Sequence, residues 1–247
     1  MSIIAFIPSR FGSSRFPGKP LAVISGKPMI QHVYTCAAKC PDISEVYVTT
    51  DDDRIFKCVE EFGGKAIMTK EKHPSGTDRI AEAVEKLGLA DDDIIVNIQG
   101  DQPVFEPSVI SDMVKPLTED ETLPMSTLKY RITDPGEVSN SNIVKVVTDN
   151  TDYALYFSRS MIPFYRENPP DRKHYKHLGF YAYRKAFILE FSRLKGGLLE
   201  NAEKLEQLRA IENGYRIKVI EATSDSIEVD APEDIMKVEN LINSLKK

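Results

Sequence analysis

Short unbroken apolar runs alternate with segments of helical periodicity through the first part of the chain, and this alternation restricts the fold more than any other feature. Ile3 to Ile7 is an apolar run closed by Pro8, as expected of a strand buried on both faces of a parallel sheet. Apolar residues recur at helical spacing from Met29 to Cys40, and Glu45 to Thr49 is rich in strand formers. The alternation continues with a helix over Asp53 to Phe62, a strand over Lys65 to Met68, a helix over Thr77 to Leu87 and a strand over Asp93 to Ile98. Right-handed crossovers wind such βαβ units into a mostly parallel sheet with helices on both faces. The expected fold class is α/β, in one domain spanning 1–247.

The middle of the chain changes character. Met125 to Ile132, Ile143 to Val147, Tyr153 to Phe157 and Leu178 to Tyr183 are strand-like pieces between polar loops. They predict a β-rich, antiparallel extension of the sheet within about 120–185. A helix from Ala202 to Asn213 stopped by Gly214, a strand at Arg216 to Ile220 and a last helix after Pro232 complete the expected elements.

Composition excludes several classes of function. The net charge is −6 with both signs interspersed, which lacks the basic footprint needed to neutralise a nucleic-acid backbone. No apolar run has membrane-spanning length, and no leader pattern opens the sequence. Cys36, Cys40 and Cys58 read as small hydrophobes of a protein in a reducing cytoplasm. An acidic chain that holds a polyanion must gather its cations locally or recruit a metal.

Such a gathering follows the first strand. Ser9 to Pro20 packs Arg10, Arg15 and Lys19, the hydroxyls of Ser9, Ser13 and Ser14, and Gly12 and Gly18 into twelve residues. Backbone N–H groups exposed by Gly and Ser, forked Arg donors and the Lys point charge together suit phosphate. The spacing is neither a Walker A loop nor a dinucleotide-binding fingerprint, which disfavours a P-loop kinase and a hydride-transfer enzyme. In a parallel sheet, ligands bind beyond the carboxyl ends of the strands. Gln99-Gly100-Asp101-Gln102-Pro103 leaves another strand at that end with one carboxylate beside a glycine. Magnesium takes one or two carboxylates together with phosphate oxygens, although an aspartate there serves equally as a helix cap. Asp230, before Pro232, is the second carboxylate candidate and has the same alternative. The turn His73 to Arg79, with Ser75 and Arg79, opens a helix and can meet a base edge or a phosphate. Tyr156 to Arg159 and Lys176 to Gly179 place Arg159 and His177 where an acidic substrate can be met, or on a solvated surface.

Taken together, these segments resemble the 3-deoxy-manno-octulosonate (Kdo) cytidylyltransferases over nearly the whole chain. The resemblance is carried by Ile7 to Arg10 with Arg15 to Leu21, Gly26 to Ile30, Ser75 to Arg79, Asn97 to Asp101, Ala154 to Arg159, Lys176 to Gly179, Leu205 to Arg209 and Val229-Asp230. It implies a nucleotide-diphospho-sugar transferase fold and a homodimer whose β-rich region forms the interface. It implies an enzyme that joins CMP from CTP to an eight-carbon 3-deoxy sugar acid, with release of pyrophosphate and Mg2+ as cofactor, for lipopolysaccharide biosynthesis. Arg10, Ser13, Arg15, Lys19, Ser75 and Arg79 are implied to hold the nucleotide, and Asp101 and Asp230 the metal. Lys19, Asp101 and Asp230 are the implied catalytic set, and Gln99, Arg159, His177, Glu206 and Gln207 are implied to face the sugar.

Two positions depart from the family pattern. Gln102 stands where the family usually has an acid after the metal aspartate, and Ser226-Ile227-Glu228-Val229 replaces a glycine-rich stretch. The chain also resembles the branch that activates the 8-amino analogue of Kdo, and Glu228 would favour an amine if it reached the far end of the sugar. A nine-carbon sialic acid as acceptor and a non-catalytic nucleotide-sugar binding protein are the competing readings. Both are disfavoured, the second because binding alone requires neither aspartate.

Overall fold

The computed structural model describes residues 1–12, 16–167 and 169–245. Strand β1 (Ile3–Pro8) lies inside the sheet, parallel to β4 (Glu45–Thr50) on one side and β6 (Ile94–Asn97) on the other. Its alternating side chains divide the core. Ala5 and Ile7 pack with Ile30, Val33, Ile55 and Val114, whereas Ile4 and Phe6 pack with Ile80, Val84, Ile188 and Leu208. A strand covered on both faces has to be apolar throughout, which is why the opening run is unbroken.

Between these strands lie a two-strand hairpin, β2 (Val23–Ile24) with β3 (Lys27–Pro28), then α1 (Met29–Ala37), α2 (Asp53–Glu61), β5 (Lys65–Met68) and α3 (Gly76–Leu87). The expected segments are present with ends shifted by a few residues. After β6 come α4 (Ser108–Glu119), β7 (Met125–Arg131), α5 (Pro135–Ser139), β8 (Lys145–Thr148), β9 (Ala154–Ser158) and β10 (Tyr175–Arg184). The chain continues through α6 (Lys185–Phe191), α7 (Leu198–Glu203), α8 (Gln207–Glu212), β11 (Ile217–Glu221) and α9 (Asp234–Leu245). The sheet order is β11-β7-β10-β6-β1-β4-β5, with β10 antiparallel to both neighbours and the β8–β9 pair branching from β10. The antiparallel extension expected from the middle segments is therefore continuous with the main sheet.

The β2–β3 hairpin and the short helix α5 were not expected, and three further features differ from the sequence reading. Helix α4 was not expected, because Pro116 lies inside it and Pro103 and Pro107 precede it. Its buried residues Val109, Ile110, Met113, Val114 and Leu117 nevertheless keep one apolar stripe, whose burial outweighs the hydrogen bond that Pro116 cannot make. Helix α6 also escaped notice, since it follows β10 with no glycine or proline between them. The single helix expected over Ala202 to Asn213 is instead two, α7 and α8, broken at Lys204, which adopts a left-handed φ of 55°. The break lets Leu205 enter the core and Glu206 reach Thr77, and these contacts override helix propensity.

Among the described residues no helix is long and apolar enough to cross a membrane. The three cysteines are free thiols, with Cys40 buried and Cys36 and Cys58 partly so.

Candidate active site

The loop after β1 is anchored at both ends. Ser9 N–H donates to the Thr49 carbonyl (2.8 Å), and Gly18 N–H closes the loop onto the Phe11 carbonyl (2.9 Å). Gly18 has φ 72°, and a Cβ there would lie 3.1 Å from the Phe11 ring, so glycine is required on two counts. The Arg54 guanidinium from α2 lies 3.3 Å from the centroid of the Phe11 ring and is itself gripped by Asp52 through Nη2–Oδ2 (2.6 Å) and Nε–Oδ1 (3.0 Å) contacts. The loop then enters a 3-10 turn, Lys19–Leu21, which delivers Lys19 to the cleft. Arg10 is exposed on the cleft wall. Ser13 and Arg15 lie outside the described residues.

Asp101 arrives from the carboxyl end of β6. Gly100 before it allows close approach of the two strand ends, since a Cβ there would be 2.9 Å from Ser9 Oγ and 3.2 Å from the Pro8 carbonyl oxygen. Asp230 comes from the opposite end of the sequence. An extended segment at 227–229 runs beside 101–104, bridged at Val104 and Ile227 and held by Val229 N–H donating to the Asp101 carbonyl (2.8 Å). Val229 is fully buried with Ile24, Met29 and Val238, while its neighbours Glu228 and Asp230 line the cleft.

Lys19 Nζ donates to Asp101 Oδ2 (2.6 Å) and to the Val229 carbonyl (2.9 Å), and lies 3.9 Å from Asp230 Oδ1. Carboxylate oxygens of Asp101, Glu228 and Asp230 all lie within 4.8 Å of one another. An oxygen-only donor set of this charge, already holding one ammonium, fits a small hard cation such as Mg2+. Asp101 and Asp230 are thus brought together as expected; the company of Glu228 was not anticipated. The signal was present in the sequence, because residues two apart in an extended segment share a face.

The third wall is the start of α3. Ser75 caps the helix, its Oγ accepting from Asp78 N–H (3.2 Å) and donating to the Asp78 carboxylate (2.8 Å). Arg79 is only 5% exposed and pairs with Asp51 (3.0 Å), while also donating to Thr69 Oγ1 and the Lys70 carbonyl. His73 pairs with Glu82 (2.6 Å). His73, which opens the expected turn, and Asp51, which was not singled out in the sequence, join this wall. The cleft has a volume of about 540 Å³ and also takes in Gln99.

The remaining candidates sit behind it. Gln99 Nε2 donates to the Gly179 carbonyl (3.3 Å), which links the cleft to an irregularity of β10 between His177 and Tyr181, where Gly179 has φ 72°. Gln102 is buried and donates to the Leu178 carbonyl (2.7 Å). It therefore braces the same bulge from beneath. Glu206 accepts from Thr77 Oγ1 (2.5 Å), and burial raises its pKa. Gln207 is buried beside it. Arg159 donates from Nε to the Glu203 carbonyl (2.7 Å) and from Nη1 to the Ser141 carbonyl (3.1 Å). Arg159, His177, Glu206 and Gln207 do not line the cleft that holds Lys19 and Asp101.

His177 is a neutral group. Thr127 Oγ1 gives its proton to the Phe180 carbonyl, so the 2.8 Å contact from His177 Nε2 must be a donation to that oxygen. Burial pushes the imidazole pKa down to about 3. Of the two groups expected to meet an acid, His177 can therefore offer a hydrogen bond but not a charge.

The cytidylyltransferase family model matches residues 4–220. The chain belongs to the cytidylyltransferase family. It is 55% identical to a 3-deoxy-manno-octulosonate cytidylyltransferase of Syntrophus aciditrophicus, over 97% of each chain. It is 52% identical to an 8-amino-3,8-dideoxy-manno-octulosonate cytidylyltransferase of Shewanella baltica, over 97% of this chain and 98% of the other. A solved CMP:2-keto-3-deoxy-manno-octonic acid synthetase complexed with CTP superposes with a TM-score of 0.92 at 43% identity, covering 99% of both chains. This cytidylyltransferase therefore has the fold that the resemblance implied, and it is a CTP-dependent enzyme.

Proposed function

We propose that the enzyme transfers CMP from CTP to 3-deoxy-manno-octulosonate and releases pyrophosphate. The observation that carries this reading is the meeting of Lys19, Asp101 and Asp230, from three distant parts of the chain, at the strand ends. A close relative of the same fold is described as complexed with CTP. The loop of Arg10 and Lys19, with the Ser75 turn, holds and orients the triphosphate. Asp101 and Asp230 would hold Mg2+ as cofactor. When bound, the ion supplies charge neutralisation at the α-phosphate and lowers the pKa of the attacking hydroxyl. The rest of the acceleration comes from alignment: the loop fixes the phosphates, and Gln99 with the His177 and Glu206 region fixes the sugar so that its anomeric hydroxyl attacks in line. Arg159 matches the acid's charge, and neutral His177 and Gln207 offer hydrogen bonds.

The 8-amino sugar is a second acceptor reading, favoured by the 52% identity to relatives named for it. Pyrophosphate release from CTP and Mg2+ with each sugar in turn tests both. Release with only one sugar identifies the acceptor, and absence of release with both overturns the assignment. The product suits lipopolysaccharide assembly, and a cytoplasmic location fits that supply.

The enzyme is also read as a homodimer. Leu155 on β9, which among the described residues pairs only with β8, is 59% exposed, and Met161 and Phe164 after that strand are 43% and 76% exposed. Phe164→Glu is expected to shift the mass measured by light scattering from two chains to one, whereas a wild type that runs as one chain refutes the dimer.

A further inference from the structure

We propose that Glu228 is a third carboxylate of the cation site, so that a divalent ion is recognised by Asp101, Glu228 and Asp230 together. This rests on the magnesium reading above. The backbone makes the arrangement obligatory. Residues 227–229 run extended against 101–104, Val229 is locked in the core, and the carboxylates on either side of it are carried to the cleft. Residues alternate along such a segment, so Glu228 and Asp230 leave the backbone on the same side, opposite Val229.

Charge supports the same conclusion. Three carboxylates whose oxygens lie within 4.8 Å of one another attract a divalent ion more strongly than two. The site already holds a cation, since Lys19 Nζ is 2.6 Å from Asp101. A divalent ion must compete with that ammonium, and a third negative charge shifts the competition toward the ion of higher charge. Glu228 is exposed, so its carboxylate acts on an ion that keeps part of its water shell, as magnesium does. In this account Glu228 belongs to the reacting end of the site, not to the far end of the sugar.

The test is a titration of the nucleotide-free enzyme with Mn2+, read by the electron paramagnetic resonance signal of the free ion, for wild type, Glu228→Gln and Asp101→Asn. Glu228→Gln preserves shape and removes the charge, and a thermal melt verifies that each variant folds. The expected result is a Kd for Mn2+ about tenfold higher in Glu228→Gln, in the range by which residues supporting a metal alter its affinity. An unchanged Kd in Glu228→Gln beside a weakened one in Asp101→Asn overturns the role of Glu228 and leaves the magnesium reading standing. A wild type that binds Mn2+ no better than Asp101→Asn overturns both. An unchanged Kd with an altered ratio of kcat/KM for the two sugars also overturns the proposal, returning Glu228 to sugar choice.

Discussion

Lys19 links the anion loop to the two aspartates, and its contacts define what each residue of the cluster does. It is neutralised by Asp101 at 2.6 Å while its second hydrogen bond goes to a backbone carbonyl. Removing either aspartate therefore leaves the ammonium with less compensation and, on the proposed reading, the metal with fewer ligands. Asp101→Asn and Asp230→Asn are each expected to lower kcat at least about 100-fold while the fold is retained, the scale on which single charge-stabilising groups act. Steady-state rates beside a circular dichroism spectrum check this, and near-normal turnover in both variants would sink the cation site. These two residues were legible in the sequence because an aspartate just after a glycine, or two residues before a proline, at an element boundary is conspicuous. For Glu228 the sequence offered only its two-residue spacing from Asp230; that this spacing puts both on one face could not be used until Val229 between them was known to be buried.

At the scale of elements, the first turn of α3 combines stability and function in one side chain. Ser75 Oγ satisfies an otherwise unpartnered N–H of the helix start and also lines the cleft. Ser75→Ala is expected to cost about 1 kcal/mol and about 2–4 °C in Tm. A larger KM for CTP should accompany this loss. Calorimetry and initial rates measure the two effects separately; a lower Tm with an unchanged KM would confine Ser75 to capping. The capping serine and the amphipathic stripe of α3 could be read directly, because both depend on neighbours within a few positions. The break between α7 and α8 could not, because it depends on Leu205 and Glu206 finding partners in the core and on α3.

Across the whole molecule, His177 ties the sheet's bulge to pH. Its folded pKa of about 3 lies below the ordinary value of 6.5. Between these values the unfolded chain binds a proton that the folded one refuses, so this residue's contribution to stability falls as pH drops from about 6.5 toward 3. His177→Gln, which cannot titrate, is expected to lose less stability than wild type between pH 7 and pH 5 by urea denaturation. Equal losses would show that His177 is not the group concerned. By itself the sequence determined the strands, most helices, the phosphate-seeking loop and the pair of aspartates, because periodicity and local residue chemistry are properties of nearby positions. Only the tertiary structure decided that Glu228 joins that pair, that His177 is neutral and that α4 forms despite its proline. Each of these depends on which distant groups share a burial environment, and burial is set by how the sheet and its helices pack.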